Sequence, residues 1–373
     1  MTYVPLTRVS MILPTVDFLH RAGASVDRLL AMAHLPPWIT TDSEMLVPAQ
    51  SATRLRGLAA RVLAMPNLGL DVGERTAAEP SGLFGTLRRR APTLGAMLQA
   101  VVRYSPMLSS RGRLRLRVAG DLVELTKTLT VALDPRDFAS QQEDQFVLGL
   151  MIGVVRLAAG PSWEPAEVHL QTDEAPALRD AGSLGSAHVT FRQPATMIAF
   201  PRALLAAPLA PPPRIEVAGD AVEAWKSSAP TRDFVGSIRQ AVETLSCRDY
   251  PNIRMTAEFV GMSVRTLQRR LAQAGTSHDL LVAQARFATA AAVLEQTDAK
   301  ILSLALDLGY SDHANFTRAF RRWAGCSPRE YRLSARTAGP VVNPFAAEGQ
   351  RHTRRLTGGR SSNRKFSRAA GGG

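Results

Sequence analysis

Two helical segments in the last third of the chain carry side chains that can recognise nucleic-acid bases. In the first, Thr256–Gly275, helical periodicity places Arg265 and Arg269 one turn apart on the outward face, with Gln268 at its border. Arg and Gln side chains make bidentate hydrogen bonds with guanine and adenine edges in a major groove. These residue types at this spacing therefore favour base recognition.

The second segment, Ile301–Gly325, repeats this arrangement. Phe316, Phe320 and Trp323 recur at helical spacing and are predicted to face inward. Polar and charged side chains are left for the flanks and the exposed face: His313, Asn315, Thr317, Arg318, Arg321 and Arg322. A single surface arginine is usually a solvated charge, but two such helices in matched contexts indicate a DNA-reading surface.

Each polar helix needs a shorter helix and a tight turn before it. Gly261 in the first segment and Gly309 in the second can take the positive φ that such a turn requires. Thr256 is expected to cap the first short helix, and Ser311 or Asp312 to cap the second polar helix. The pattern predicts two helix-turn-helix units.

A long helix is predicted between the two units, over Thr276–Gln296, with its cap at Thr276. About twenty residues at 1.5 Å each give a helix on the order of 30 Å long, close to the roughly 34 Å between successive major-groove segments on one face of B-DNA. One chain could therefore place two reading helices in neighbouring grooves. A second capping box, Ser327 with Glu330, is predicted to start a closing helix at Pro328.

The stretch from Gly309 to Arg332 matches a specific family motif. It reads GYSDHANFTRAFRRWAGCSPREYR. It resembles the closing pattern of the DNA-binding domain in AraC-type transcription regulators, G-[FY]-x-[DS]-x-x-x-F-x-R-x-F-[RK]-x-x-x-G-x-[ST]-P-x-x-[YF]-R. The family's base-reading positions then fall on residues of both polar helices: Arg265, Gln268, Arg269, His313, Asn315, Thr317 and Arg318.

The resemblance carries functional expectations. It implies a bacterial, sequence-specific DNA-binding transcription regulator whose partner is double-stranded DNA. It also implies activation through contact with RNA polymerase, a small-molecule effector and a homodimer.

The front region mixes helical and strand patterns. Amphipathic helical spacing extends from Leu19 to about Arg61. Arg113–Val118 alternates with period two and the chain returns over Leu122–Val131, so a β-hairpin is predicted. Further strand candidates are Glu167–Gln171, His188–Phe191 and Thr196–Phe200. The predicted fold class is an α+β regulatory domain followed by an all-α DNA-binding domain with two helix-turn-helix units joined by a linking helix.

Phe146–Val155 is the most apolar stretch of the chain. A helix needs about twenty apolar residues to cross a bilayer core, so this shorter stretch is predicted to be a buried helix against a sheet. No membrane partner is expected. Residues 10–205 as a whole are similar to the N-terminal regulatory domain of the AraC-type subgroup related to the ornithine-utilisation regulator.

Composition and charge divide the chain into four parts. We predict a regulatory domain over 1–206, a proline-rich linker over 207–230, the DNA-binding domain over 231–336 and a basic tail over 337–373. The tail carries seven Lys and Arg against one Asp and Glu, residues 231–336 carry fifteen against ten, and residues 1–230 are nearly balanced. The basic end suits polyanions, although a solvated tail is the commoner explanation for such a run.

The remaining features exclude several other classes. Cys247 and Cys326 are too few for a disulfide framework or a zinc site, and the N-terminus lacks a signal-peptide pattern, so a cytoplasmic location is expected. His313 has no partner at metal-ligand spacing. The sequence contains no P-loop, no G-x-G-x-x-G, no H-E-x-x-H and no G-x-S-x-G motif. We expect no metal, no cofactor and no enzymatic activity.

Three functional classes follow. The first, which the sequence favours, is a regulator whose front domain binds a small molecule that shifts the population of DNA-competent states. The second is an enzyme fused to a DNA-binding domain, such as one that repairs alkylated DNA through a cysteine, but residues 1–246 contain no cysteine. The third is an effector-independent regulator whose front domain only dimerises.

Overall fold

The structure is a computed structural model that describes residues 2–78, 82–89, 91–179, 182, 184–210, 219–248 and 250–338. Most of the predicted basic tail and residues 211–218 of the predicted linker lie outside the described residues. The chain forms two compact units. The first contains the chain up to Thr244 together with Ile253–Val264, and the second contains Leu245–Asn252 and the described residues from Arg265 on.

Helices make up most of the first unit. In chain order they are α1 Leu13–Arg21, α2 Val26–Met32, α3 Ala49–Val62, α4 Leu68–Ala78, α5 Gly82–Arg89, α6 Leu94–Leu108, α7 Phe138–Ala159, α8 Pro176–Arg179, α9 Gly219–Ser227, α10 Phe234–Leu245 and α11 Ile253–Phe259. Short 3₁₀ turns lie at Val9–Met11, Pro37–Thr41 and Arg202–Ala206.

The strands of the first unit form two sheets. They are β1 Leu6–Arg8, β2 Leu46–Pro48, β3 Gly112–Ala119, β4 Leu122–Leu129, β5 Glu167–His169, β6 His188–Thr190 and β7 Thr196–Pro201. β1 and β2 pair with each other, and the other five form a sheet in the order β3-β4-β7-β5-β6. Only β5 and β6 are parallel neighbours in that sheet.

The predicted β-hairpin is confirmed as β3 and β4, with Leu114 opposite Lys127 in an antiparallel register. Gly120 turns the chain with φ +63°. All three further strand candidates also lie in the sheet, as β5, β6 and β7. The prediction missed β1 and β2, which have three residues each and are too short for an alternating pattern to be visible.

The apolar stretch Phe146–Val155 is part of a longer helix than its composition suggested. α7 has 22 residues and begins at Phe138, where the Asp137 side chain accepts a hydrogen bond from the Ser140 N–H. The polar residues before Phe146 are therefore helical and largely buried. None of the described helices is long and apolar enough to cross a membrane.

Glycines let α7 approach α4 closely. A Cβ on Gly73 would lie 2.4 Å from the Phe146 carbonyl oxygen, and a Cβ on Gly149 would lie 2.2 Å from the Leu70 carbonyl oxygen. Such distances are too short for real carbon atoms. Any larger residue at either position would therefore force the two helices apart.

The second unit is all α-helical among its described residues. Its helices are α12 Val264–Gln273, α13 His278–Gln296, α14 Ile301–Asp307, α15 His313–Ala324 and α16 Pro328–Ala338. One apolar core joins α13, α14, α15 and α16. An α+β front region followed by an all-α DNA-binding region is the predicted fold class, and this prediction is confirmed.

Candidate nucleic-acid interface and an internal cavity

Helix α12 presents one polar face. Leu267 and Leu271 are buried, whereas Arg265, Gln268 and Arg269 are exposed. Gln268, which periodicity places at the border of the two faces, therefore lies on the accessible side. The geometry leaves all three predicted reading residues of this helix free to approach a ligand.

The turn before α12 follows the expected pattern at its glycine. Gly261 has φ +69°, as predicted. The predicted cap at Thr256 is wrong, because α11 begins at Ile253 and Thr256 lies inside this helix, fully buried. A threonine can lie at a helix cap or inside a helix, and the sequence pattern did not distinguish these two positions.

Helix α15 has a defined start and end. The Asp312 side chain caps the helix by accepting a hydrogen bond from the Asn315 N–H at 2.7 Å, and this bond lowers the pKa of Asp312. Of the two predicted caps, Asp312 is thus the one used. The preceding turn has Gly309 at φ +76°, and Gly325 ends the helix at φ +75° with its N–H bonded to the Arg321 carbonyl.

The polar residues of α15 form a hydrogen-bonded chain along the helix. The Asn315 amide donates to Asp312 Oδ2 at 2.6 Å, and Arg318 Nη2 donates to Asn315 Oδ1 at 2.5 Å. His313 Nε2 lies 3.4 Å from Thr317 Oγ1. His313 and Arg318 are exposed, whereas Asn315 and Thr317 are half-buried. The four predicted reading residues of α15 are thus arranged as two neighbouring pairs.

An aromatic cluster packs α15 against the other helices of the second unit. Phe316 and Phe320 are fully buried, and the Phe320 ring lies 5.4 Å from both Phe287 on α13 and Tyr331 on α16. Aromatic rings at such distances in tilted or edge-to-face geometry attract each other beyond their burial. The Tyr331 hydroxyl also donates to Glu295 at 2.9 Å. The core therefore sets which face of α15 points outward.

The linking helix α13 has 19 residues. At 1.5 Å per residue it is about 28 Å long, in line with the predicted length. Its cap is Ser277 and not Thr276, because the Ser277 hydroxyl accepts a hydrogen bond from the Leu280 N–H. Two adjacent hydroxyl residues compete for one cap position, and only the backbone geometry decides between them.

The closing helix starts as predicted. The Ser327 N–H donates to Glu330 Oε2 at 2.7 Å, and the Glu330 N–H donates to the Ser327 hydroxyl at 3.3 Å. Hydrogen bonds from the Ser327 N–H and hydroxyl to the Glu330 carboxylate lower the pKa of Glu330. The reciprocal capping box confirms the sequence prediction and fixes the start of α16, which packs against α13 and α15.

Comparisons with known families agree with this geometry. The family model for the N-terminal arabinose-binding domain of AraC transcription regulators matches residues 23–209, which is half of the chain. A helix-turn-helix domain matches residues 256–334. The chain belongs to the AraC family of transcription regulators. As an AraC-type protein it is a DNA-binding transcription regulator.

Relatives of the AraC-type chain extend over most of its length. An uncharacterized HTH-type transcriptional regulator of Mycobacterium tuberculosis is 27% identical over 315 residues, which cover 83% of this chain and 91% of the relative. The ornithine utilization regulator of Pseudomonas aeruginosa is 26% identical over 326 residues, or 85% and 93% of the two chains. The predicted resemblance to this subgroup is confirmed.

One solved structure of similar extent is the transcriptional regulator CdpR from Pseudomonas aeruginosa. It is 23% identical to this chain, with a TM-score of 0.41, and the match covers 86% of this chain and 97% of CdpR.

The first unit of the AraC-type chain also contains a partly open cavity of about 130 Å³. Its wall includes residues of α3, α6, β3, β4 and α7. Four charged side chains line it: Arg56, Arg111, Lys127 and Glu143. These residues were not predicted from the sequence, since each one taken alone is indistinguishable from a solvated surface charge. The one available signal was the run of polar residues directly before the apolar part of α7.

Proposed function

We propose that the chain is a transcription activator that reads two neighbouring major-groove segments with α12 and α15 and senses a small molecule in its first unit. In this proposal Arg265, Gln268 and Arg269 contact the first segment. The second is contacted by His313, Asn315, Thr317 and Arg318. RNA polymerase is the partner through which the bound regulator activates, and two chains act as a homodimer.

The exposed polar faces of α12 and α15 support the DNA-reading part of this proposal. Both helices have a buried apolar stripe, so the side that carries the reading residues is held outward. The length of α13 is also close to the repeat of a B-DNA groove. Asn315 would exchange its bond to Asp312 for an adenine edge on binding.

The sensing part depends on the cavity in the first unit. Ligand sites in proteins are concave, mostly apolar and lined by a few convergent polar groups, and this cavity has those features. The matched family model is that of a ligand-binding regulatory domain by its description. The predicted domain boundaries at 207 and 231 remain predictions.

Selection of binding sites from a random duplex library, followed by in vitro transcription, tests the proposed activator. The selected site should raise transcription by RNA polymerase when the regulator is added. A drop in transcription from the same template when the regulator is added would show a repressor instead. A metabolite screen that follows the melting temperature of the full chain separates sensing from pure dimerisation, because a ligand of the folded state raises that temperature.

Replacing Arg269 by alanine should weaken binding to the selected site by about 1 to 3 kcal/mol, because a bidentate guanine contact contributes about that much discrimination. The measurement is an affinity comparison on the selected site and on a scrambled duplex. Arg28→Ala, at an exposed residue of α2, serves as the control. Equal affinities of Arg269→Ala and the unmodified chain for the selected site would remove Arg269 from the reading surface.

A further inference from the structure

The cavity of the first unit has a charged end and an apolar body. The apolar side chains come from α6, β4 and α7, and include Leu98, Val101, Leu125, Met151 and Val154. A dry protein cavity of about 150 Å³ can hold benzene. The volume of about 130 Å³ therefore suits a body of that size.

The charged end contains more positive than negative groups. Arg56, Arg111 and Lys127 line the cavity together with a single carboxylate, Glu143. Glu143 is engaged on both oxygens: Oε2 lies 2.5 Å from Arg56 Nη1, and Oε1 lies 3.7 Å from Arg111 Nη1. Glu143 thus neutralises one of the three cations. The end of the cavity is left with a net positive charge.

Lys127 is the cation with no partner of its own. Among the residues that the structure describes, none forms a hydrogen bond or an ion pair with its ammonium group, and Lys127 is one of the residues that line the cavity. Burial lowers the pKa of Lys127 to about 8, against the attraction of Glu143 and with help from Arg111 and Arg232. At neutral pH the ammonium of this half-buried residue therefore remains charged, without a hydrogen-bonded counter-ion among the described residues.

Two further polar atoms at the cavity also lack partners. The Arg56 Nε and the Ser10 hydroxyl are buried and make no hydrogen bond with a described residue. Buried polar groups in proteins are almost always hydrogen-bonded, so the polar groups of the residues that line this cavity are not fully satisfied within the described protein. An anionic oxygen is an acceptor and also balances the positive charge.

The geometry points to a binding site for a small organic anion, with a carboxylate held by Lys127 and an apolar body of about benzene size in the rest of the cavity. This inference rests on the proposed sensing function, for which it names the ligand class. Neutral molecules of the same shape would leave the charge of Lys127 uncompensated. Cationic ones would add to it.

Calorimetric titration of the full chain with benzoate and hexanoate tests the inference. Benzoate should bind at least tenfold more tightly than benzyl alcohol or benzylamine, and hexanoate more tightly than 1-hexanol. The benzoate affinity should also fall between pH 7 and pH 9.5, because Lys127 loses its proton above its pKa of about 8. The charged groups that act on Lys127 are Glu143, Arg111 and Arg232. Guanidinium groups in proteins stay protonated over this range, and the pKa of Glu143 is held below its ordinary value.

A variant with Lys127→Met should bind benzoate at least tenfold more weakly, whereas Lys226→Met should bind it as the unmodified chain does. Lys226 is the matched control because it pairs with Glu223 on α9, away from the cavity wall. The discrimination between benzoate and benzyl alcohol in the unmodified chain stands even if the Lys127 variant folds poorly. Equal affinity for benzoate and benzyl alcohol, or undiminished binding by a folded Lys127→Met, would overturn the inference.

DNA protection measured with and without benzoate separates this inference from the function on which it rests. Tight benzoate binding that leaves DNA protection and transcription unchanged would support the anion site and contradict sensing by that anion. Altered protection by a neutral ligand, with no binding of either carboxylate, would support sensing and overturn the anion site.

Discussion

Glu143→Ala should lower the free energy of unfolding by about 3 to 5 kcal/mol, because removing one member of a buried ion pair leaves its partners charged and uncompensated. Glu143 accepts hydrogen bonds from Thr53 and Arg56 and lies within ion-pair distance of Arg111. Arg56 would keep its bond to the Met11 carbonyl and its place over the Phe146 ring, but neither group carries a negative charge. Urea unfolding of the full chain is the measurement.

The same carboxyl group predicts a pH dependence. Burial acts to raise the pKa of Glu143, but the charges of Arg56, Arg111 and Lys127 and the hydrogen bond from Thr53 together outweigh it and hold that pKa below its ordinary value of 4.5. A lowered folded-state pKa gives stability that is complete above the unfolded-state pKa and is lost as the pH falls through the folded value. The stability difference between the unmodified chain and Glu143→Gln should therefore be full above about pH 5 and shrink below about pH 4.

Glu223→Ala is the matched control, since Glu223 is 72% exposed and pairs with Lys226 at the surface. Surface ion pairs contribute about 0 to 1 kcal/mol. If Glu143→Ala and Glu223→Ala had the same unfolding free energy, the ion pairs of Glu143 with Arg56 and Arg111 would not stabilise the fold as inferred from their geometry.

Phe320→Ala should destabilise the second unit by about 3 to 5 kcal/mol, the usual cost of truncating a fully buried phenylalanine. Phe320 contacts Phe287, Phe316 and Tyr331, with ring centres 5.4 to 5.7 Å apart. The cavity left behind would lie under α15, so this helix should lose its fixed orientation. Urea unfolding gives the stability, and footprinting on the selected site gives the functional result.

The expected footprint of Phe320→Ala lacks the groove segment assigned to α15 and keeps, more weakly, the segment assigned to α12. Leu306→Ala is the control. Leu306 on α14 is 55% exposed, so this substitution removes an apolar side chain from the surface and not from the core. An unchanged footprint together with an unchanged unfolding free energy would show that the aromatic cluster does not position α15.

The second unit could be predicted from the sequence because its signals are local. The apolar stripes, the glycines at the turns and the Ser327 capping box each fall within a few residues, so helical periodicity suffices. Caps were wrong where two local choices compete, as at Thr276 and Ser277. Thr256, assigned as a cap, lies within α11 because helix starts are less sharply encoded than helix faces.

The buried charges of the first unit could not be predicted in the same way. Arg56, Arg111, Lys127 and Glu143 are far apart in the sequence and come together only when α3, β4, α7 and the turn before β3 pack. No short-range pattern separates such a residue from a solvated one. The seven assigned base-reading residues stay a prediction as well, although the structure places them on two outward helix faces.

Hydroxyl-radical footprinting of the full chain on its selected site tests the central claim most directly. Two helices on one polypeptide should protect two segments of the duplex per subunit, about one helical turn apart on the same face. Arg269→Ala should weaken one of the two protections and Arg318→Ala the other. Protection of a single groove segment per subunit, or loss of both segments with either substitution, would contradict the claim that α12 and α15 read neighbouring grooves separately.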